Sequence, residues 1–138
     1  MKKLLFLIVL VNHSIYSQTD VRVYDIINTV SSERIKSDIT TLANFGTRNT
    51  FSDTVSNTRG IGAARRWIKS EFEKTSKECK NCLEVFYQKD YVTTNDGERI
   101  PKDTWIVNVV AIQKGTKYPN RYIIMTGDID SRNSDTMD

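Results

Sequence analysis

Apolar positions recur with helical spacing over the first half of the chain and with strand spacing over the second, which predicts helices followed by strands. Ile35, Ile39, Leu42 and Phe45 form one stripe of a helix that Ser31 or Ser32 can cap and that Gly46 ends in a left-handed turn. Before it, residues 21–30 carry apolar side chains without a clean period, so a short helix and an extended arm both stay open. Residues 47–59 are polar, rich in Ser, Thr, Asn and Asp, and read as a surface loop. A second helix follows with Ile61, Ala64, Ile68 and Phe72 on one face, Trp67 beside them, and Arg65, Arg66, Lys69 and Glu73 elsewhere. Gly60 and Gly62 in its first turn are poor helix formers, which suggests that another backbone passes close by.

From Leu83 the period becomes two: Leu83, Val85 and Tyr87 alternate with Glu84, Phe86 and Gln88, a strand. Asn95-Asp96-Gly97 signals a turn. Residues 104–112 then make a strand with Trp105, Val107, Val109 and Ala111 on one face and Ile106, Val110 and Ile112 on the other, so both faces are expected to be buried. Residues 114–120, with Gly115 and Pro119, read as a connection. Residues 121–126 are apolar on both faces at Tyr122, Ile123, Ile124 and Met125, which predicts a third, central strand. This order fits an α/β sandwich whose sheet begins antiparallel and continues with parallel strands.

The N-terminus changes the domain count. Lys2 and Lys3 precede an apolar run over residues 4–11 and a polar stretch ending Tyr16-Ser17-Gln18, the layout of a secretory signal peptide. The run is far shorter than the roughly 20 residues of a membrane-spanning helix. Residues 1–17 are therefore expected to be removed, leaving an exported chain, periplasmic or extracellular, with no stable membrane insertion. Removal takes away two lysines and no acid, lowering the formal charge from +3 to +1. With that near-neutral balance and no basic block, nucleic acid is not an expected partner. Arg65-Arg66 and Lys74, Lys77 and Lys80 read as the solvated face and end of a helix. Hydrophobic residues make up 38% of the chain, too many for a disordered segment.

Cys79 and Cys82 are spaced C-x-x-C between the second helix and the first strand. A zinc knuckle needs a second ligand pair, and the one histidine, His13, lies in the signal segment. A redox pair belongs at a helix N-terminus after a strand, the reverse of this order. A structural disulfide suits both the position and an oxidising compartment.

Four carboxylates, Asp128, Asp130, Asp135 and Asp138, fall in the eleven residues that follow the predicted central strand. Ligands of open α/β sheets bind at that edge. Two readings stay open from the spacing alone: Asp128 and Asp130 sharing one cation, and a solvated polar loop.

The run Asn108-Val109-Val110-Ala111, then Arg121-Tyr122-Ile123-Ile124-Met125-Thr126-Gly127 and Asp128-Ile129-Asp130-Ser131, resembles the zinc aminopeptidases of clan MH, the group of aminopeptidase Y and glutamate carboxypeptidase. There an N-V-I-A strand precedes a hydrophobic strand ending in G-x-H-x-D-S. The stretch Leu42-Ala43-Asn44-Phe45-Gly46-Thr47-Arg48 and the helix over 62–72 also resemble the family's opening region, so the likeness spans roughly residues 24–138. It implies a three-layer α/β sandwich with a mixed sheet, phosphorylase/hydrolase-like and of zinc-peptidase type, of which residues 18–138 are the N-terminal part. It implies metal-dependent removal of N-terminal residues from peptide substrates, with two zinc ions per full domain.

Carried over, Asp128 takes the position of the family's histidine ligand and Asp130 that of the orienting carboxylate. The departure at Asp128 leaves room for one zinc or another divalent metal. It also leaves room for a single-zinc enzyme of glutaminyl-cyclase type and for a non-catalytic binding module on the same fold. The family's bridging Asp, Glu-Glu pair, further acidic ligand and late His have no counterpart up to Asp138, so residues 18–138 alone are expected to be inactive.

Overall fold

The computed structural model describes residues 20–131, so the expected signal segment, with His13, and Asp135 and Asp138 lie outside the described residues. The chain divides into two compact units, residues 1–36 and residues 37–138.

In the first unit, residues 21–30 resolve into a helix, α1 (Val21–Asn28). Asp20 caps it, its carboxylate accepting the Arg22 amide at 3.0 Å and pairing with the Arg22 guanidinium at 2.6 Å. Those two bonds, the guanidinium's first, hold the Asp20 carboxyl below its ordinary range. The Thr29 amide and hydroxyl close the other end on Ile26 O. Helix α2 (Ser32–Asn44) begins in this unit, and of the two candidate serines it is Ser31 that caps it, its Oγ accepting the Arg34 amide at 3.1 Å. Ile35 and Ile39 of the predicted stripe are exposed, whereas Leu42 and Phe45 are half-buried.

The second unit contains the rest of α2, helix α3 (Gly60–Glu78), strands β1 (Leu83–Val92) and β2 (Thr104–Gln113), and a short 3-10 turn at Thr94–Asp96. Gly46 stops α2 with φ +70°, a conformation that costs glycine little. The core lies at the start of α3, where Ile61, Ala63 and Ala64 are almost wholly buried. The backbone approach suggested by Gly60 and Gly62 is present. The loop at Asp53 and Thr54 lies directly against this turn, and the Gly62 amide donates to Asp53 O at 3.0 Å. Ser52 Oγ accepts the Ile61 amide at 3.0 Å, so the loop also caps the helix. Arg66 holds the same loop from above, donating to the carbonyls of Thr54, Val55 and Ser56. Phe45 packs against Trp67 with ring centroids 6.3 Å apart.

The basic pair was expected on a solvated face, and that reading holds for the exposed Arg66 and fails at Arg65. Arg65 is buried at 8% exposure, whereas Arg66 stays exposed while bonding the loop. A guanidinium can lay its stem along apolar surface, so the residue type alone does not settle burial.

Helix α3 packs on both strands, which pair antiparallel with Leu83 opposite Gln113 and Val92 opposite Thr104. Strand β1 runs four residues beyond the alternating stretch that predicts it. Tyr91 accounts for part of that length by packing on its partner Trp105, ring centroids 5.0 Å apart. Where α3 meets β1, the buried Ser76 hydroxyl donates to Leu83 O at 2.9 Å and accepts the Leu83 amide at 3.3 Å. Leu83, Val85 and Tyr87 are half-buried on the face covered by α3, and Lys69 of that helix lies over the Tyr87 ring.

Burial of both faces of β2 is not found. The opposite face carries Phe86 and Ile106, exposed at 36% and 39%, beside the half-buried Val110 and Ile112, while α3 packs on the other face. The third strand is likewise absent. Residues 121–131 form no ladder, and Tyr122, Ile123, Ile124 and Met125 are exposed. A strand exists by exchanging backbone hydrogen bonds with a neighbour, and the described sheet has two members only, β1 and β2. The described architecture is therefore mixed α/β with a two-stranded antiparallel sheet, short of a three-layer sandwich. Among the described residues no helix is long and apolar enough to cross a membrane.

Candidate functional site

The loop Gly127-Asp128-Ile129-Asp130-Ser131 is held at alternate positions. Ile129 and Ser131 are half-buried, whereas Asp128 and Asp130 are exposed. Its anchor is Arg48, two residues beyond the glycine that ends α2. The Arg48 amide donates to Ser131 Oγ at 2.9 Å, and the Ser131 amide returns a bond to Arg48 O at 3.2 Å. Arg48 Nε donates to Ile129 O at 2.9 Å. Its Nη1 donates to Leu42 O at 2.5 Å and to Gly46 O at 3.1 Å. Leu42 contributes one of the last carbonyls of α2, which have no partner within the helix and carry the negative end of its dipole, so a guanidinium is the fitting group there.

Asp130 and Ser131 also line an open pocket of about 390 Å³ with Asn49, Thr50, Phe51, Glu98, Arg99 and Pro101. The Asn49 carboxamide is buried and accepts the Phe51 amide at 2.8 Å, and Lys102 Nζ reaches Phe51 O at 3.1 Å from the β1–β2 connection. Two loops distant in sequence are thereby joined on one side of the pocket. On α3, Arg65 Nε is buried without a hydrogen-bond partner among the described residues. Burial lowers the Arg65 guanidinium's pKa, and Tyr87 and then Asp130 act in the opposite direction.

Asp128 is exposed and makes no hydrogen bond or ion pair with another described residue. Carboxylate oxygen binds zinc at about 2.0–2.2 Å, and a structural or catalytic site brings at least three protein donors. The described residues contain no group of three or more His, Cys, Asp or Glu placed to hold a metal. Asp128 and Asp130 thus fit as part of a donor set and do not complete one. Cys79 and Cys82 are joined in a disulfide with an S–S distance of 2.00 Å, so neither offers a thiolate. Their loop places Lys80 and Asn81 both at φ 61°.

Arg48 and Arg65 are the site residues that sequence reasoning overlooks. Arg48 stands in a polar loop with no period to mark it, and its partners lie about 80 positions away. Arg65 sits beside another arginine on a helix, a pattern that usually means solvent.

No family model and no solved structure matches the chain. Curated relatives do. The chain is 39% identical over 114 residues to a probable zinc metalloprotease of Pyrenophora teres f. teres, covering 83% of this chain and 24% of the relative. A second probable zinc metalloprotease of the same fungus is 44% identical over 111 residues, covering 80% and 23%. One from Phaeosphaeria nodorum is 35% identical over 119 residues, covering 86% and 24%. The chain spans about a quarter of the length of the curated relatives it matches.

Proposed function

We propose that this chain supplies a metal-facing loop to an exported zinc-dependent peptidase of aminopeptidase type. The observation that carries the reading is the 35–44% identity, over about four-fifths of the chain, to proteins named probable zinc metalloprotease. The exposed carboxylate of Asp128, without a hydrogen bond among the described residues, agrees with it. Zinc, when bound, polarises a scissile carbonyl and makes a bound water more acidic. The chain's own part is to present Asp128 as an oxygen donor and to keep Asp130 beside it as the orienting carboxylate. Lys2, Lys3 and the apolar run that follows support export, and the Cys79–Cys82 disulfide suits an oxidising compartment.

The choice of peptide end is tested with the protein as its gene encodes it. Peptides beginning with free Leu or Ala are expected to lose that residue, and the same peptides acetylated at the N-terminus are expected to stay intact by mass spectrometry. Internal cleavage of the acetylated peptides would replace the exopeptidase reading with an endopeptidase. Cyclisation of an N-terminal Gln peptide without hydrolysis would replace it with the single-zinc cyclase reading.

A further inference from the structure

We infer that Arg48 is the positioning residue of the Asp128–Asp130 loop, its guanidinium and backbone fixing the Ile129 carbonyl and Ser131 against the C-terminal end of α2. The inference rests on the reading of Asp128 as a metal ligand. Among the described residues, the three hydrogen bonds that tie residues 122–131 to the rest of their unit all run to Arg48. Among the described residues the segment before the loop offers no other hold, since Tyr122 to Met125 are exposed and join no ladder. Ile129 lies between the two aspartates, so a bond to its carbonyl restrains the backbone that carries both.

The chemistry of the residue matters. One guanidinium reaches three carbonyls, on Leu42, Gly46 and Ile129, in a planar fork that a lysine ammonium does not reproduce. The anchoring side is itself tied down, since the Phe45 and Gly46 amides donate to Leu42 O and Ala43 O and Phe45 O accepts the Gly60 amide. A loop that presents metal ligands loses affinity when its supporting bonds are removed, by about 10–100-fold for groups of this kind.

The test uses the encoded protein with Arg48→Ala, Arg48→Lys and Asp128→Asn, and reads zinc affinity by competition with a chromogenic chelator together with amide hydrogen exchange. Both Arg48 variants are expected to weaken zinc binding about 10–100-fold and to speed exchange at residues 129–131. Exchange at residues 61–64 of α3 is expected to stay slow, which separates the effect from general unfolding. In turnover, kcat is expected to fall more than KM changes. Unchanged exchange at 129–131 in Arg48→Ala, or full restoration of affinity by Arg48→Lys, overturns the positioning role. If exchange at 129–131 speeds up in Arg48→Ala while Asp128→Asn leaves zinc affinity unchanged, Arg48 still positions the loop and it is the ligand reading that fails.

Discussion

Asp128→Asn is expected to reduce kcat/KM for N-terminal Leu peptides by at least about 100-fold, with little change in stability. The floor follows from comparison: losing an outer supporting group already costs about 10–100-fold in metal affinity or activity, and a direct donor contributes more. The substitution keeps the shape and removes the charge through which the proposed carboxylate donor would hold zinc. Stability is expected to hold because Asp128 is exposed and has no hydrogen bond or ion pair among the described residues. The check is steady-state kinetics beside a denaturant titration of the same sample. Retained activity with retained zinc means that the loop does not face the metal.

Gly62→Ala is expected to destabilise the second unit by at least about 1–3 kcal/mol, the usual cost of forcing an atom into a packed interior. Helix propensity alone argues the other way, since alanine is favoured over glycine by about 1 kcal/mol inside a helix. Geometry decides the sign. A Cβ at Gly62 would lie 2.2 Å from Thr54 O and 2.5 Å from Thr54 C, and both are backbone atoms that cannot rotate aside. The loop must therefore move off α3, straining the Gly62–Asp53 bond and the Arg66 bonds to Thr54, Val55 and Ser56. The expected result is a lower urea midpoint followed by the fluorescence of Trp67 and Trp105. An unchanged or higher midpoint shows that the loop does not press on the helix.

That close approach was legible in the sequence because glycine weakens the first turn of an apolar-striped helix, and what it provides in return is room for a neighbouring backbone. The helix with Ile61 and Ala64 inward, a cap at Ser31 or Ser32, the Gly46 stop and the two strands were legible for the same kind of reason. Each depends on local spacing or local backbone preference. What failed depends on neighbours. Residues 121–126 have the composition of a buried strand, yet composition cannot supply the strand that would pair with them, and the segment is exposed. Ile106 on the outer face of β2 is exposed for the same reason, with Val110 and Ile112 half-buried beside it.

In the candidate site, Asp128 and Asp130 stand out by type and spacing, and the resemblance to zinc aminopeptidases assigns them roles. The groups around them do not stand out. Arg48 is one arginine in a polar loop, and only the fold brings it to Ile129 and Ser131. Arg65 occupies a position where charge predicts solvent, and the packing of α3 against the loop and the sheet encloses it.

Whether this loop belongs to a zinc-dependent hydrolase is tested most directly by the metal content of the encoded protein, read by plasma mass spectrometry alongside peptide hydrolysis. One or two zinc ions per chain are expected, with loss of hydrolysis when a chelator strips them and recovery when zinc is restored. Protein without zinc that still hydrolyses peptides in chelator, or that binds zinc and hydrolyses nothing, contradicts that assignment.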